Sequence, residues 1–137
     1  MRAVLDPNVI ISATLSPGGS PALVFRLWLD GGYELVCSPV LLEELAKALN
    51  YPKLSKHIRS DEAEELIQLL RRGALMVDDP AISPDVSSSD PGDDYLIALA
   101  GKSRSVLVSG DRDLLELSDQ IPVYSPTEFL SLIGEHS

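Results

Sequence analysis

The chain alternates short apolar runs with longer stretches of helical period. "RAVLD" (2–6) is a continuous apolar run ended by an acid and a proline, which predicts a buried strand. Ser20 as N-cap and Pro21 at the first helical position open a helix over 20–32, closed by two glycines. "YELVCS" (33–38) is a second strand, and Ser38–Pro39 repeat the start signal for a helix running to about Asn50. Residues 60–72, "SDEAEELIQLLRR", make an amphipathic helix with acids first and arginines last, as the helix dipole prefers. "ALMVDD" (74–79) gives a weaker strand signal, and 80–92, with three prolines and four serines, is a loop. A helix over 90–103 starts with Asp90 as cap and Pro91 at its first position. A strand at 105–109, a short helix at 111–119, a strand at 122–125 and a last helix over 125–133 behind Ser125 and Pro126 complete the pattern. Strands alternating with helices predict an α/β fold, a mainly parallel sheet with helices on both faces.

Length and composition narrow this. A chain of 137 residues fits one domain over 1–137 with a substantial core, and 45% hydrophobic residues with only 5% aromatic make that core aliphatic. No stretch approaches the roughly 18 uninterrupted apolar residues of a membrane helix, and "MRAVLD" carries no apolar leader; a cytoplasmic protein is expected. The single cysteine, Cys37, permits no internal disulfide and no thiolate cluster, and reads as a small buried hydrophobe. The net charge of −10 is informative. Phosphate backbones repel such a protein, so any nucleic-acid function needs bound cations.

The acids fall in a pattern. In parallel α/β sheets, ligands sit outside the carboxyl ends of the strands. There, "AVLD" ends in Asp6 and "VLVSGD" in Asp111, while two helices begin with the adjacent acids Glu43–Glu44 and Asp93–Asp94. Helical geometry chooses within each pair. Glu44 borders the face formed by Leu41, Leu45, Ala48 and Leu49, and Glu43 points nearly opposite. Asp93 lies on the stripe of Leu96, Ile97 and Ala100, and Asp94 lies off it. Each acid also has a plain structural reading: Asp111 as a helix cap, Asp93 and Asp94 as first-turn acids, Asp6 as a turn residue, Glu44 as a surface flank. If the four converge, they must take up protons or a cation, because like charges ~4 Å apart repel by about 4 kcal/mol at an effective dielectric near 20. Carboxylate oxygens without Cys or His favour Mg²⁺ or Mn²⁺ over zinc, and such sites serve phosphate chemistry.

On these motifs the chain resembles the PIN-domain nucleases, especially the VapC-like toxins of bacterial toxin–antitoxin systems. The likeness spans a core of about 2–133. "VLDPNVIISA" is similar to the opening strand with Asp6 as its acid and Asn8 as a polar partner. "SPVLLEELAKAL" followed by "YPKL" resembles the second motif with Glu44, "DPGDDYLIALA" the third with Asp93, and "VSGDRDLL" the fourth with Asp111 and, as accessory, Asp113. "SPTEFL" looks like the closing helix. Pro7 and Ser109 depart from the family, standing where a small hydroxyl residue and threonine are common. The resemblance implies a three-layer α/β/α fold and Mg²⁺- or Mn²⁺-dependent hydrolysis of RNA phosphodiester bonds. Asp6, Glu44, Asp93 and Asp111 would hold the metal, with Asn8, Ser109, Asp113 and Asp94 as accessories. It further implies a cognate antitoxin and a homodimer.

Other chemistries fit less well. No G-x-S-x-G elbow supports a serine hydrolase, and His57 and His136 lack metal-ligand spacing. A phosphoaspartyl mechanism commonly needs a second aspartate two positions after Asp6, where Asn8 stands. The basic run Lys53, Lys56, His57 and Arg59 reads equally as a solvated loop or a phosphate-binding edge, and Arg112 as a phosphate contact or a balance to its neighbours. Trp28 reads as core or dimer contact. The competing function is a non-catalytic PIN-like module that binds RNA or protein.

Overall fold

The structure is a computed structural model that describes residues 1–81 and 86–136, the last two in backbone only. Residues 82–85 of the expected 80–92 loop, the side chain of His136, and Ser137 lie outside the described residues.

Five parallel strands form one sheet: β1 (Arg2–Leu5), β2 (Glu34–Cys37), β3 (Leu75–Met76), β4 (Val106–Val108) and β5 (Val123–Tyr124), in the order β3-β2-β1-β4-β5. The central register pairs Val4 with Val36 on one side and with Leu107 on the other. Ala3, Val4, Leu5, Val36, Cys37 and Val108 have no exposed surface. Such continuous apolar runs are what a sheet covered on both faces requires. Burial pushes the Cys37 thiol up to about 12, so it stays a neutral hydrophobe.

One helical layer comprises α1 (Pro7–Leu15), α2 (Ser20–Leu29), α3 (Pro39–Leu49), α5 (Ser60–Gly73) and α8 (Pro126–His136), with α1 against α2 and α3, α2 against α8, and α3 against α5. The four-residue α4 (Pro52–Ser55) follows α3. A 3-10 turn (Pro91–Asp93) leads into α6 (Asp94–Ser103), which packs on β1 and β4 from the other face, as right-handed crossovers require. The short α7 (Arg112–Leu115) bridges β4 and β5. The result is the expected α/β/α sandwich. Trp28 belongs to its core, edge-on to Phe25 at 5.3 Å between centroids.

Four details depart from the sequence reading. Residues 7–15 form a full helix that the pattern did not reveal, with Asp6 as its N-cap and Pro7 at its first turn. Helix α2 is capped by Gly19, and the expected cap, Ser20, instead shares a 2.9 Å hydrogen bond with Thr127 on α8. That helix stops at Leu29, because Gly31, at φ +84°, turns the chain toward β2. The helix expected over 111–119 is regular only across Arg112–Leu115. The start of α8 is as expected: the Ser125 N–H donates to Glu128 and the Glu128 N–H to Ser125, at 2.9 and 3.1 Å.

Candidate active site

The strand order reverses direction between β1 and β4, which puts a crevice above their carboxyl ends. Asp6 is the first residue after β1. Its N–H continues the ladder to the Val108 carbonyl at 2.9 Å, so its position is set by the sheet. Only 4% of its surface is exposed. One carboxylate oxygen accepts the Asn8 N–H at 3.0 Å and the other accepts the Ser109 hydroxyl at 2.8 Å. Burial raises its pKa; those two hydrogen bonds offset part of the rise, and the Asp111 charge adds to it.

Ser109, fully buried, fastens the two strand ends together. Besides donating to Asp6, its oxygen accepts the Asp111 N–H at 2.9 Å. Asp111 caps α7 by accepting the Asp113 N–H at 2.9 Å. The cap reading of Asp111 is therefore correct, and the same carboxyl group acts by its charge on Asp6.

Asp93 completes this group from the 3-10 turn before α6. Burial first, then a hydrogen bond to Asp111 and the charges of Asp6, Asp111 and Asp90, push its carboxyl up to about 7. Its Oδ2 is buried without a hydrogen-bond partner. Three acids from three distant segments thus share one electrostatic environment. Asp94 points elsewhere, as the helical face requires: it accepts the Ser88 N–H at 2.8 Å and ties the preceding loop to α6. Asp113 accepts the Ser89 hydroxyl at 3.4 Å and holds the same loop from the other side. Asn8 contributes its backbone N–H, and its residue is exposed at the start of α1.

Glu44 stands at the rim. Its side chain is 48% exposed and lies 3.6 Å from the Lys47 ammonium, which sits equally far from Glu43. Among the described residues, no three His, Cys, Asp or Glu side chains are arranged to grip an ion as they stand. The physical reasons are visible. Asp93 and Asp111 are turned toward each other, and Glu44 is turned to Lys47. The donor chemistry nevertheless suits a hard divalent ion: every candidate ligand is a carboxylate oxygen, and Asp93 Oδ2 is buried and unsatisfied.

Two further residues belong here that sequence reasoning missed. Tyr95, half-buried on α6, has its phenol pKa raised far above the ordinary value, by burial first and then by the charges of Asp6, Glu44, Asp93 and Asp79. That phenol marks the place where Glu44 meets the buried acids. Asp79 lies beyond the end of β3, after Val77 and Asp78. One of its oxygens accepts the Val40 N–H at 3.0 Å, and the other is buried without a partner. The available signals were an acid after a strand for Asp79, and the position next to Asp94 for Tyr95.

Comparison with known proteins bears on the family and the fold. A protein called "Uncharacterized protein MJ1680", from Methanocaldococcus jannaschii, is 26% identical over 140 residues, covering 95% of this chain and 90% of its own. In structure, the chain resembles VapBC2 from Rickettsia felis, solved bound to a DNA fragment from its promoter: TM-score 0.61, 14% identity, 91% of this chain and 98% of that one. It also resembles PAE2754 from Pyrobaculum aerophilum, with TM-score 0.63, 16% identity, and 98% and 90% coverage. At these identities the structural likeness concerns the fold. The family model described as PIN domain matches residues 2–113, the segment that carries all four motif acids, and the chain belongs to the PIN domain family.

Proposed function

We propose that this chain is a ribonuclease that hydrolyses RNA phosphodiester bonds with Mg²⁺ or Mn²⁺, acting in the cytoplasm as the toxin of a toxin–antitoxin pair. The observation that carries the reading is the convergence of Asp6, Asp93 and Asp111 at the switch point of the sheet, with Asp93 pushed up to about 7 by burial and then by its neighbours. Perturbed carboxyls in a strand-end crevice are a mark of function, because structure alone gives no reason to crowd like charges. The VapBC2 likeness supports the toxin half of the proposal, an antitoxin partner included. A homodimer is part of the same reading.

In this proposal Asp6, Glu44, Asp93 and Asp111 are the metal-holding residues. When bound, the ion supplies charge neutralisation at the phosphate and acidification of water. The chain's own groups do the rest. Asp6 is held in one orientation by Ser109 and Asn8, so it meets the ion without reorganising. Asp93, its carboxyl raised to about 7 by burial and its neighbours, would have to be ionised to hold the ion. Asp94 and Asp113 tie Ser88 and Ser89 to α6 and α7. The Tyr95 phenol stays protonated, a neutral donor in an anionic site that a phosphate oxygen can accept.

The test is incubation of the purified protein with mixed RNAs and Mn²⁺, beside an Asp6→Asn variant. Cleavage by the parent and a loss of at least about a hundredfold in the variant are expected, since a metal ligand disappears while the helix cap is retained. Equal cleavage by both would refute the mechanism. No cleavage of any RNA by a protein that still binds RNA would favour the non-catalytic module.

A further inference from the structure

The α3–α4 junction carries a feature that the carboxylates do not explain. Beside Glu44 a groove of about 570 Å³ opens, walled by Lys47, Ala48, Asn50, Tyr51 and Pro52. Its volume falls within the roughly 300–1,000 Å³ of small-ligand sites. Glu44 is therefore shared between the rim of the acid cluster and the mouth of this groove.

Tyr51 is the most unusual wall. At 66% it is the most exposed of the large apolar side chains among the described residues. Its backbone, by contrast, is fixed. The N–H donates to the Ala48 carbonyl at 3.2 Å, and its own carbonyl accepts the Leu54 and Ser55 N–H groups, both at 2.9 Å. Pro52 follows and restricts it further. A ring anchored at its base and open to water loses little conformational entropy when a flat partner covers it.

Charge points the same way. In a chain of net charge −10, Lys47 is a cation placed directly beside the candidate metal ligand. Its two pairings, 3.6 Å each and well exposed, are weak and exchangeable. A divalent ion held by Glu44 would leave Lys47 with only the exposed Glu43 pairing, which an incoming phosphate could replace. Lys53, exposed on α4, extends the cationic edge. Single-stranded nucleic acid is held by this combination, an aromatic face for the base and a cation for the backbone, with little dependence on sequence.

We propose that the groove between Glu44 and Tyr51 is a nucleotide subsite for single-stranded RNA, in which the base next to the scissile phosphate stacks on Tyr51 and its phosphate pairs with Lys47. This rests on the ribonuclease reading for the identity of the ligand, and adds where the substrate lies. In sequence, the basic run after α3 reads equally as a solvated loop or a phosphate-binding edge. The groove now gives that edge an aromatic platform and a direction, away from the metal ligands past Glu44.

Stacking has a signature of its own. A single-stranded oligoribonucleotide carrying 2-aminopurine is titrated, in EDTA so that it is not cleaved, with protein carrying Tyr51 intact, Tyr51→Phe or Tyr51→Ala. Quenching of the base and tight binding are expected for the intact and Phe proteins. For Tyr51→Ala, a loss of quenching and about tenfold weaker binding are expected. In the cleaving protein, Tyr51→Ala raises KM by a similar factor and moves kcat little, and Lys47→Gln lowers the salt dependence of binding by about one unit of slope. Unchanged quenching and affinity in Tyr51→Ala would overturn the subsite, whether or not the parent cleaves RNA. A parent that binds RNA through Tyr51 yet never cleaves would keep the subsite and overturn the nuclease. A parent that neither binds nor cleaves RNA would overturn both.

Discussion

Ser109 joins the two best-placed acids through one oxygen, giving a hydrogen to Asp6 and taking one from the Asp111 backbone. Removing that hydroxyl leaves a buried carboxylate oxygen of Asp6 without its donor and the Asp111 N–H without its acceptor. Ser109→Ala is therefore expected to cost about 1–3 kcal/mol. That corresponds to a fall in Tm of roughly 3–10 °C, read by thermal unfolding in EDTA. A Tm within a degree of the parent would mean the strand ends are fixed by the ladder alone. The sequence already located these residues, because a strand that stops in an acid aims the acid at the crevice. Glu44 was chosen by its helical face, and the structure keeps it on the crevice side but exposed and paired with Lys47. Tyr95 and Asp79 escaped detection for a physical reason: their significance lies in contacts between segments, and no local pattern encodes that an exposed two-residue strand such as β3 ends beside α3.

The helix α1 illustrates a similar limit between local and tertiary information. "DPN" reads as a turn, and Val9, Ile10, Ile11 and Thr14 are poor helix formers, so local propensity argues against a helix. Burial of Val9, Ile10 and Ile11 against the rest of the core overrides it. Where local and tertiary preferences agree, the reading was sound, as in α3, α5 and α8. The end of α5 is set by packing as much as by capping. At Gly73, the last residue of that helix, an added Cβ would stand 2.9 Å from the Trp28 ring, and Trp28 is itself wedged against Phe25. A rigid indole cannot yield as a flexible side chain would. Gly73→Ala trades a better helix propensity, worth up to about 1 kcal/mol, against overpacking that costs about 1–3 kcal/mol. Net destabilisation is expected in a urea titration, together with a shift in Trp28 fluorescence, this being the one tryptophan in the chain. A stabilised variant would show that α2 and α5 can slide apart at this contact.

Across the whole molecule, 21 acids against 11 bases make proton uptake and cation binding competing ways to relieve the same repulsion. Asp93 shows how the competition runs. Its carboxyl stands at about 7 in the folded chain, against 3.8 for an ordinary aspartate, so between those values the native state holds a proton that the unfolded chain has released. Stability from this group is then fully present below pH ~3.8 and is lost as the pH rises toward 7; Asp6, raised by burial, acts in the same sense. The metal-free protein is accordingly expected to melt at lower temperature at about pH 7.5 than at about pH 5. A divalent ion takes the proton's place, and its binding must release what Asp93 holds. Mn²⁺ affinity should therefore climb by up to about tenfold per pH unit below 7 and level off above it. Calorimetric titration in buffers of different ionisation enthalpy counts the protons directly. Close to one released at about pH 6 and few at about pH 8 is the expected result, and the pH slope should vanish in Asp93→Asn. An affinity flat from about pH 5.5 to 8 in the parent would mean that Asp93 takes no part in holding the ion, and the metal would then have to rest on Asp6, Glu44 and Asp111 without it.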